Sequence, residues 1–273
     1  RRFKKGDRVL SPVVWACGSC EFCLKGRQNL CATPNIPGFS TGGGYGRLVK
    51  VINADLNLIP LPEGIDFITA AAMGCRFPTA YHAVRDQGRV KGGEWVAVHG
   101  CGGVGLSAVQ IAAALGANVV AVDISDEKLA KARELGAVAT VNAARENAPE
   151  AVKEITKGGA HVSVDALGIQ TTCLNSVLSL RKGGRHVQVG LTTQAEKGQV
   201  PVPVDMIVAM EIEFLGSIVH PQSGYDGMLE MVTSGKVNPN KLVTRTVRIE
   251  EASSVLESMT EFGTVGMVII NQW

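Results

Sequence analysis

The spacing of apolar positions changes character near residue 77. Before it, apolar residues come in short alternating runs, Arg8-Val9-Leu10 and Leu48-Val49-Lys50-Val51 among them, set in stretches rich in Gly and Pro. Alternation with period two puts successive side chains on opposite faces of a strand, so residues 1–76 predict an antiparallel β domain with long loops. Beyond residue 77, unbroken apolar runs alternate with helical patterns. Strands are expected at Trp95–His99, Val119–Asp123, Val138–Val141, Val162–Ala166 and His186–Val189, and helices near 103–115 and 126–135. Asp126 reads as the N-cap of the second helix and Gly136 as its stop. Strands apolar along their whole length, each followed by a helix, predict a parallel, doubly wound α/β sheet. After residue 218 a helix near 223–234, a strand, a helix and a last strand return to mixed character. The expected organisation is a first domain piece over 1–76, a nucleotide-type domain over 77–218, and a second piece of the first domain over 219–273.

Composition narrows the class without changing the fold. Apolar residues make up 45% and charged residues 19%, as in an ordinary globular protein. Every apolar run is short and broken by Gly or charge, so none is long enough to cross a bilayer. The net charge is +2, and the Arg1, Arg2, Lys4, Lys5, Arg8 cluster has no interleaved aromatics, which argues for a solvated strand end rather than a nucleic-acid surface. No secretory leader opens the sequence, so a reducing cytoplasmic setting is expected. Gly6-Asp7 already reads as a turn between strands, and the expectation is that the sequence starts inside a domain.

Cys17, Cys20, Cys23 and Cys31 form the pattern C-x2-C-x2-C-x7-C. Four thiolates this close in sequence can surround one Zn²⁺ at about 2.3 Å and leave no open position, which makes the expected site structural. Two disulfides suit a secreted protein better, and a thioredoxin-like redox pair needs two cysteines at a helix start. Lys25 and Arg27 either offset the negative charge of four thiolates or are plain surface residues.

His99-Gly100-Cys101-Gly102-Gly103-Val104-Gly105 carries G-x-G-x-x-G at positions 100, 102 and 105. The motif follows an apolar strand, opens a helix, and is followed by Asp123 at the end of the next strand, which is the context of a dinucleotide site. Gly100 serves the tight turn, Gly102 the close approach of a pyrophosphate, and Gly105 the packing of helix on strand. Asp123 can accept hydrogen bonds from an adenosine ribose and would repel a 2′-phosphate, so NAD is expected over NADP. Lys128 either lies over that ribose or is a helix-surface lysine.

With the cysteine quartet, Gly74-Cys75, the glycine motif and Asp123 in this order, the chain resembles the zinc-dependent medium-chain alcohol dehydrogenases over essentially its whole length. The resemblance implies a Rossmann domain for the sheet and a GroES-like, mainly antiparallel catalytic domain for the two outer pieces, incomplete at its N-terminus. It implies two zinc ions: a structural one on the quartet and a catalytic one to which Cys75, in Met73-Gly74-Cys75-Arg76-Phe77-Pro78-Thr79, contributes. Thr79 and Val104 should border the nicotinamide, with Gly103 in the phosphate turn and Leu167, Val189, Leu191 and Ser217 lining the cofactor crevice. The family's other catalytic zinc ligands, a Cys and a His-Glu pair, have no counterpart here. His82, His99, His161, His186 and His220 read as packed or surface histidines, and the stretch by itself is expected to bind NAD weakly at best and not to turn over alcohol. Met267 stands where the family usually has Arg or Lys, so a basic clamp on the pyrophosphate is expected to be absent.

The implied activity is reversible oxidation of an alcohol to an aldehyde or ketone, with NAD as hydride acceptor and a small-molecule substrate. The short interval from Cys31 to Cys75 resembles bacterial and archaeal members, which implies a homo-oligomer, tetramer or dimer. Two other readings stand beside it. One is a zinc-free reductase acting with NADPH on quinones or enones, against which the quartet and Asp123 both speak; the other is a non-catalytic NAD-binding protein on the same fold.

Overall fold

Strand-forming runs of Val and Ala build the centre of the protein. In the computed structural model, which describes residues 2–259 and 263–273, six strands form one parallel sheet. Numbering strands along the chain, β1 is Val9–Leu10, β2 Ile59–Pro60, β3 Trp95–His99, β4 Asn118–Asp123, β5 Ala137–Asn142, β6 Ala160–Asp165, β7 Leu180–Gln188, β8 Glu213–Gly216, β9 Val243–Arg248 and β10 Met267–Gln272. The sheet runs β5-β4-β3-β6-β7-β8, all neighbours parallel. Chain order thus reverses direction at β3 and β6, and that switch point opens a crevice at the carboxyl ends of the strands. Val96, Ala97 and Val98 of β3 and Val119, Val120 and Ala121 of β4 are fully buried, because helices cover both faces of the sheet at its centre.

Contacts divide the chain into two units, residues 79–218 and residues 1–78 with 219–273. In the second, β1 pairs antiparallel with β2, and β9 parallel with β10. Alternation at Leu48–Val51 does not produce a strand: Leu48 is 93% exposed, and no ladder partner lies beside this stretch among the described residues. Gly6-Asp7 does turn, with the Asp7 amide donating to the Lys4 carbonyl, but described residues 2–4 are not a strand.

The N-cap expected at Asp126 lies one residue earlier. Ser125, extended at φ −100, accepts the Lys128 amide on its hydroxyl, while Asp126 in the first turn pairs with Arg145 and accepts from Asn142. Gly136 ends this helix with positive φ. Among the described residues no helix is long and apolar enough to cross a membrane.

Candidate functional site

The glycine motif sits in the turn from β3 into the helix Gly103–Ala114, at the centre of the sheet's carboxyl edge. A side chain at residue 105 is sterically forbidden: a Cβ there would lie 1.8 Å from the Gly100 carbonyl oxygen. Helix and strand therefore close on each other through this glycine. At Gly102 a Cβ would meet nothing within 4 Å, so backbone faces open space at the helix start. The first-turn amides of any helix lack intrahelical acceptors, and with the helix dipole they favour an anion there. The open cradle fits a diphosphate.

Asp123, half-buried at the end of β4, folds back over this turn. Its Oδ2 accepts the Cys101 amide at 2.7 Å and its Oδ1 the Ser125 amide at 2.9 Å. A carboxylate has about four lone-pair positions, so roughly two remain for ribose hydroxyls. Lys128 lies in the helix that Ser125 caps, and its positive charge reaches the Cys101 thiol. Cys101 itself is fully buried, and burial pushes its thiol up, so it stays protonated.

The remaining crevice residues occupy strand ends of the same unit. Val104 is in the first turn of the glycine-motif helix, Leu167 follows β6, Val189 and Leu191 follow β7, and Ser217 follows β8. Leu191 is 81% exposed, whereas Ser217 has a buried hydroxyl without a hydrogen-bond partner among the described residues. Such an orphaned group suits a polar ligand atom. Thr79 is buried in the helix Arg76–Tyr81.

The four cysteines of the quartet converge, with all Sγ atoms within 4.8 Å of one another. A tetrahedron with 2.3 Å metal–sulfur bonds has sulfur–sulfur edges of about 3.8 Å. The Cys17–Cys23 and Cys20–Cys23 separations, 3.9 and 3.4 Å, match that scale. Backbone amides point at the sulfurs: Ser19 and Cys20 at Cys17, Ala32 at Cys20, and Cys17 at Cys31. Those of Ser19 and Cys20 bring the Cys17 thiol down to about 5, while burial pushes Cys23 up to about 12. Four neighbouring thiols cannot all ionise without a cation among them, and the donor set fits Zn²⁺. Lys25 pairs with Glu21 at 3.5 Å on the exposed face of the lobe.

The lobe is clasped rather than packed. Trp15 and Asn35 exchange two backbone hydrogen bonds across its base. Buried Asn57 donates to the Ala16 and Ile52 carbonyls and accepts from the Ala16 amide and Gln222 Nε2. The same Gln222 nitrogen donates to the Val14 carbonyl. Cys75 stands apart, exposed in the turn between the helices Phe67–Ala72 and Arg76–Tyr81. It borders a cavity of about 560 Å³ whose walls include Trp15, Tyr45, Leu256 and Met267. Met267, buried at the start of β10, is a wall of that cavity and a core residue.

His99 and His186 are packed: each is buried, with the Ser179 hydroxyl at His99 Nε2 and the Ser163 and Ser176 hydroxyls at His186 Nδ1, and desolvation brings them down to about 3 and about 4. His161 accepts the Trp95 amide, and His82 contacts Asp86. Sequence patterning missed Asp165, a fully buried carboxylate at the end of β6, and its partner Gln188 on β7. A signal was present, since Asp165 is a charge that directly follows the apolar Val162 and Val164 positions at a strand end.

Comparison with known proteins agrees with this geometry. Residues 1–63 match the alcohol dehydrogenase GroES-like domain model, and residues 103–234 match the zinc-binding dehydrogenase model. An alcohol dehydrogenase of Geobacillus stearothermophilus is 35% identical over 98% of this chain and 76% of its own length. An NAD-dependent alcohol dehydrogenase of Sulfurisphaera tokodaii is 30% identical over the same shares, 98% and 76%. The solved alcohol dehydrogenase TADH from Thermus sp. ATN1 superposes with a TM-score of 0.90 at 28% identity, covering 98% of this chain and 79% of that one. Identity of 35% over 98% of the chain, together with a match to both family models, establishes that the chain belongs to the zinc-binding alcohol dehydrogenase family.

Proposed function

We propose that this chain is an NAD-dependent zinc alcohol dehydrogenase, oxidising an alcohol reversibly to an aldehyde or ketone by hydride transfer. The observation that carries the reading is the presence, in one chain, of a thiol quartet shaped for Zn²⁺ and a glycine turn with a ribose-reading acid. When bound, zinc supplies Lewis acidity toward the alcohol oxygen and NAD accepts the hydride. The chain's own share is positioning. Gly100, Gly102, Gly103 and Gly105 hold the pyrophosphate against the helix start, and Asp123 accepts from the adenosine ribose with Lys128 beside it. Thr79 and Val104 border the nicotinamide; Leu167, Val189, Leu191 and Ser217 line its crevice. Cys17, Cys20, Cys23 and Cys31 hold the structural zinc, and Cys75 offers a thiolate to the catalytic zinc. A cytoplasmic, reducing setting keeps these thiols available as ligands.

Self-association belongs to the same reading. Strand β8 is the edge of the large sheet and exposes Phe214, and the preceding helix Val204–Ala209 exposes Val204 and Val208. An open ladder edge flanked by apolar side chains supports pairing with a second copy. Light scattering that found only monomer at micromolar concentration would remove this part.

Zinc analysis and turnover test the function together. A dehydrogenase with the full catalytic ligand set should carry two zinc ions per chain and form NADH from a panel of primary alcohols, secondary alcohols and polyols; residues 1–273 supply only Cys75 to that set and should not turn over alcohol by themselves. With the full set present, one zinc without turnover points to a structural NAD-binding protein, and no zinc with NADPH-dependent reduction of enones points to the zinc-free reductase.

A further inference from the structure

Asp165 lies at the end of β6 with both of its carboxylate oxygens and its carbonyl oxygen engaged. Oδ1 accepts the amides of Leu167 and Gly168 at 3.0 and 3.1 Å, and Oδ2 accepts Gln188 Nε2 at 2.8 Å. Its backbone carbonyl accepts the amides of Val189 and Gly190. One buried residue thus ties down the loop after β6 and the loop after β7. Those loops touch backbone to backbone: a Cβ on Gly168 would lie 2.2 Å from the Leu191 carbonyl oxygen, and one on Gly190 would lie 2.3 Å from the Gly168 nitrogen.

Behind Asp165 the polarity of the hydrogen bonds continues without a break. Gln188 Nε2 donates to Asp165 and to the Gly190 carbonyl, so its Oε1 must face His186 Nε2 at 3.0 Å and accept from it. That fixes the proton of the neutral imidazole on Nε2. Nδ1 is then an acceptor for the Ser163 and Ser176 hydroxyls at 3.2 and 3.1 Å. A buried network in which each donor finds an acceptor holds its members in one arrangement.

We propose that Asp165, braced by Gln188 and His186, is a positioning residue for the cofactor, fixing the two loops on which the nicotinamide half of NAD lies. The proposal rests on the dinucleotide reading above. Asp123, the ribose acid, ends β4 on one side of β3, and the pyrophosphate turn follows β3 itself. A dinucleotide laid across the switch point therefore carries its nicotinamide half toward the ends of β6 and β7, on the other side.

The test separates the two halves of the ligand. NADH and AMP are titrated into the wild-type chain and into Asp165→Asn, with ¹⁵N-histidine spectra recorded on both. An asparagine at 165 turns a donor toward Gln188, whose amide must flip. The flip removes the donor from the Gly190 carbonyl and presents a donor to His186 Nε2, driving the imidazole proton to Nδ1. NADH should then bind at least tenfold more weakly, AMP within twofold of wild type, and the His186 signals should switch tautomer. Equal weakening of both ligands, or of neither, overturns the proposal. If Asp165→Asn does not fold, Gln188→Met removes the same donor from Gly190 while keeping the carboxylate, and should weaken NADH at least threefold with AMP unchanged. Unchanged NADH binding in that variant refutes the idea as well. Wild-type protein that binds neither ligand sinks the dinucleotide reading itself, an outcome distinct from wild type binding both and the variants matching it.

Discussion

Replacing Asp123 with asparagine should shift the choice between NADH and NADPH by an amount set by electrostatics alone. In the wild type, a 2′-phosphate placed on the ribose site would lie about 4 Å from the carboxylate. Per unit charge that repulsion is about 1 kcal/mol in water and about 4 kcal/mol at an effective dielectric of 20. At about 1.4 kcal/mol per decade, the variant's preference for NADH over NADPH should fall by a factor between about five and several hundred. Absolute affinities will fall too. The carboxylate holds the Cys101 and Ser125 amides at 2.7 and 2.9 Å, and an asparagine oxygen can keep only one of them. Losing a hydrogen bond to a charged group costs about 1.5–3 kcal/mol, but that loss loosens the turn for both cofactors and cancels in their ratio. Fluorescence titration with each cofactor at low and high salt is the assay. The ratio shift should shrink as the screening length falls from about 10 Å at 0.1 M salt to about 3 Å at 1 M. A ratio that moves less than twofold, or that ignores salt, refutes the assignment of Asp123 as the group that excludes the 2′-phosphate.

Other outcomes follow from the same geometry. Gly105→Ala places a methyl group 1.8 Å from the Gly100 carbonyl oxygen and should weaken NADH binding at least tenfold; tight binding by a folded variant would show that the turn tolerates reshaping. Cys31→Ser should lower the zinc content by one per chain and reduce the thermal midpoint, read by metal analysis and calorimetry, because the lobe has little core beyond its cysteines, Ala16 and Leu56. Acidification should release that zinc, read by metal analysis across a pH series, because protons compete with the metal for the four thiolates. His99 and His186, lowered by burial to about 3 and about 4, are neutral in the folded protein while the unfolded chain protonates them below about 6.5. The unfolded state then binds more protons, so stability is full above pH 6.5 and declines as pH falls. At pH 5 each histidine should contribute a loss of about 2 kcal/mol, visible as a lower urea midpoint. A midpoint unchanged between pH 7 and pH 5 would contradict this burial.

The features legible in the sequence were those written in local spacing. Parallel strands buried on both faces show up as unbroken Val and Ala runs, so β3 and β4 were placed within a residue. The glycine turn and the cysteine quartet could be read because backbone approach and metal geometry demand particular residue types a few positions apart. What failed needed knowledge of neighbours. Leu48–Val51 has the alternation of a strand, yet alternation says nothing about whether a partner lies alongside. Ser125 and Asp126 are both good caps, and the choice fell to Ser125 because Asn142 and Arg145, distant in sequence, engage Asp126. Asp165 and Gln188 gain their roles from pairing across adjacent strands, and Asn57 from contacts with Ala16 and Gln222, none of which a linear pattern encodes.

The clasp on the cysteine lobe also has a bearing on how the protein is made. Gln222 donates to the carbonyl of a residue 208 positions earlier in the chain. At a synthesis rate of about 5–20 residues per second, the four thiols leave the ribosome roughly 10–40 s before that brace exists. During this interval the lobe has only its own short-range hydrogen bonds and any captured metal to keep the sulfurs together. Early zinc capture would therefore guard the nascent chain against oxidation and mispairing, and growth under zinc limitation should lower the yield of folded protein more than it lowers the rate of synthesis.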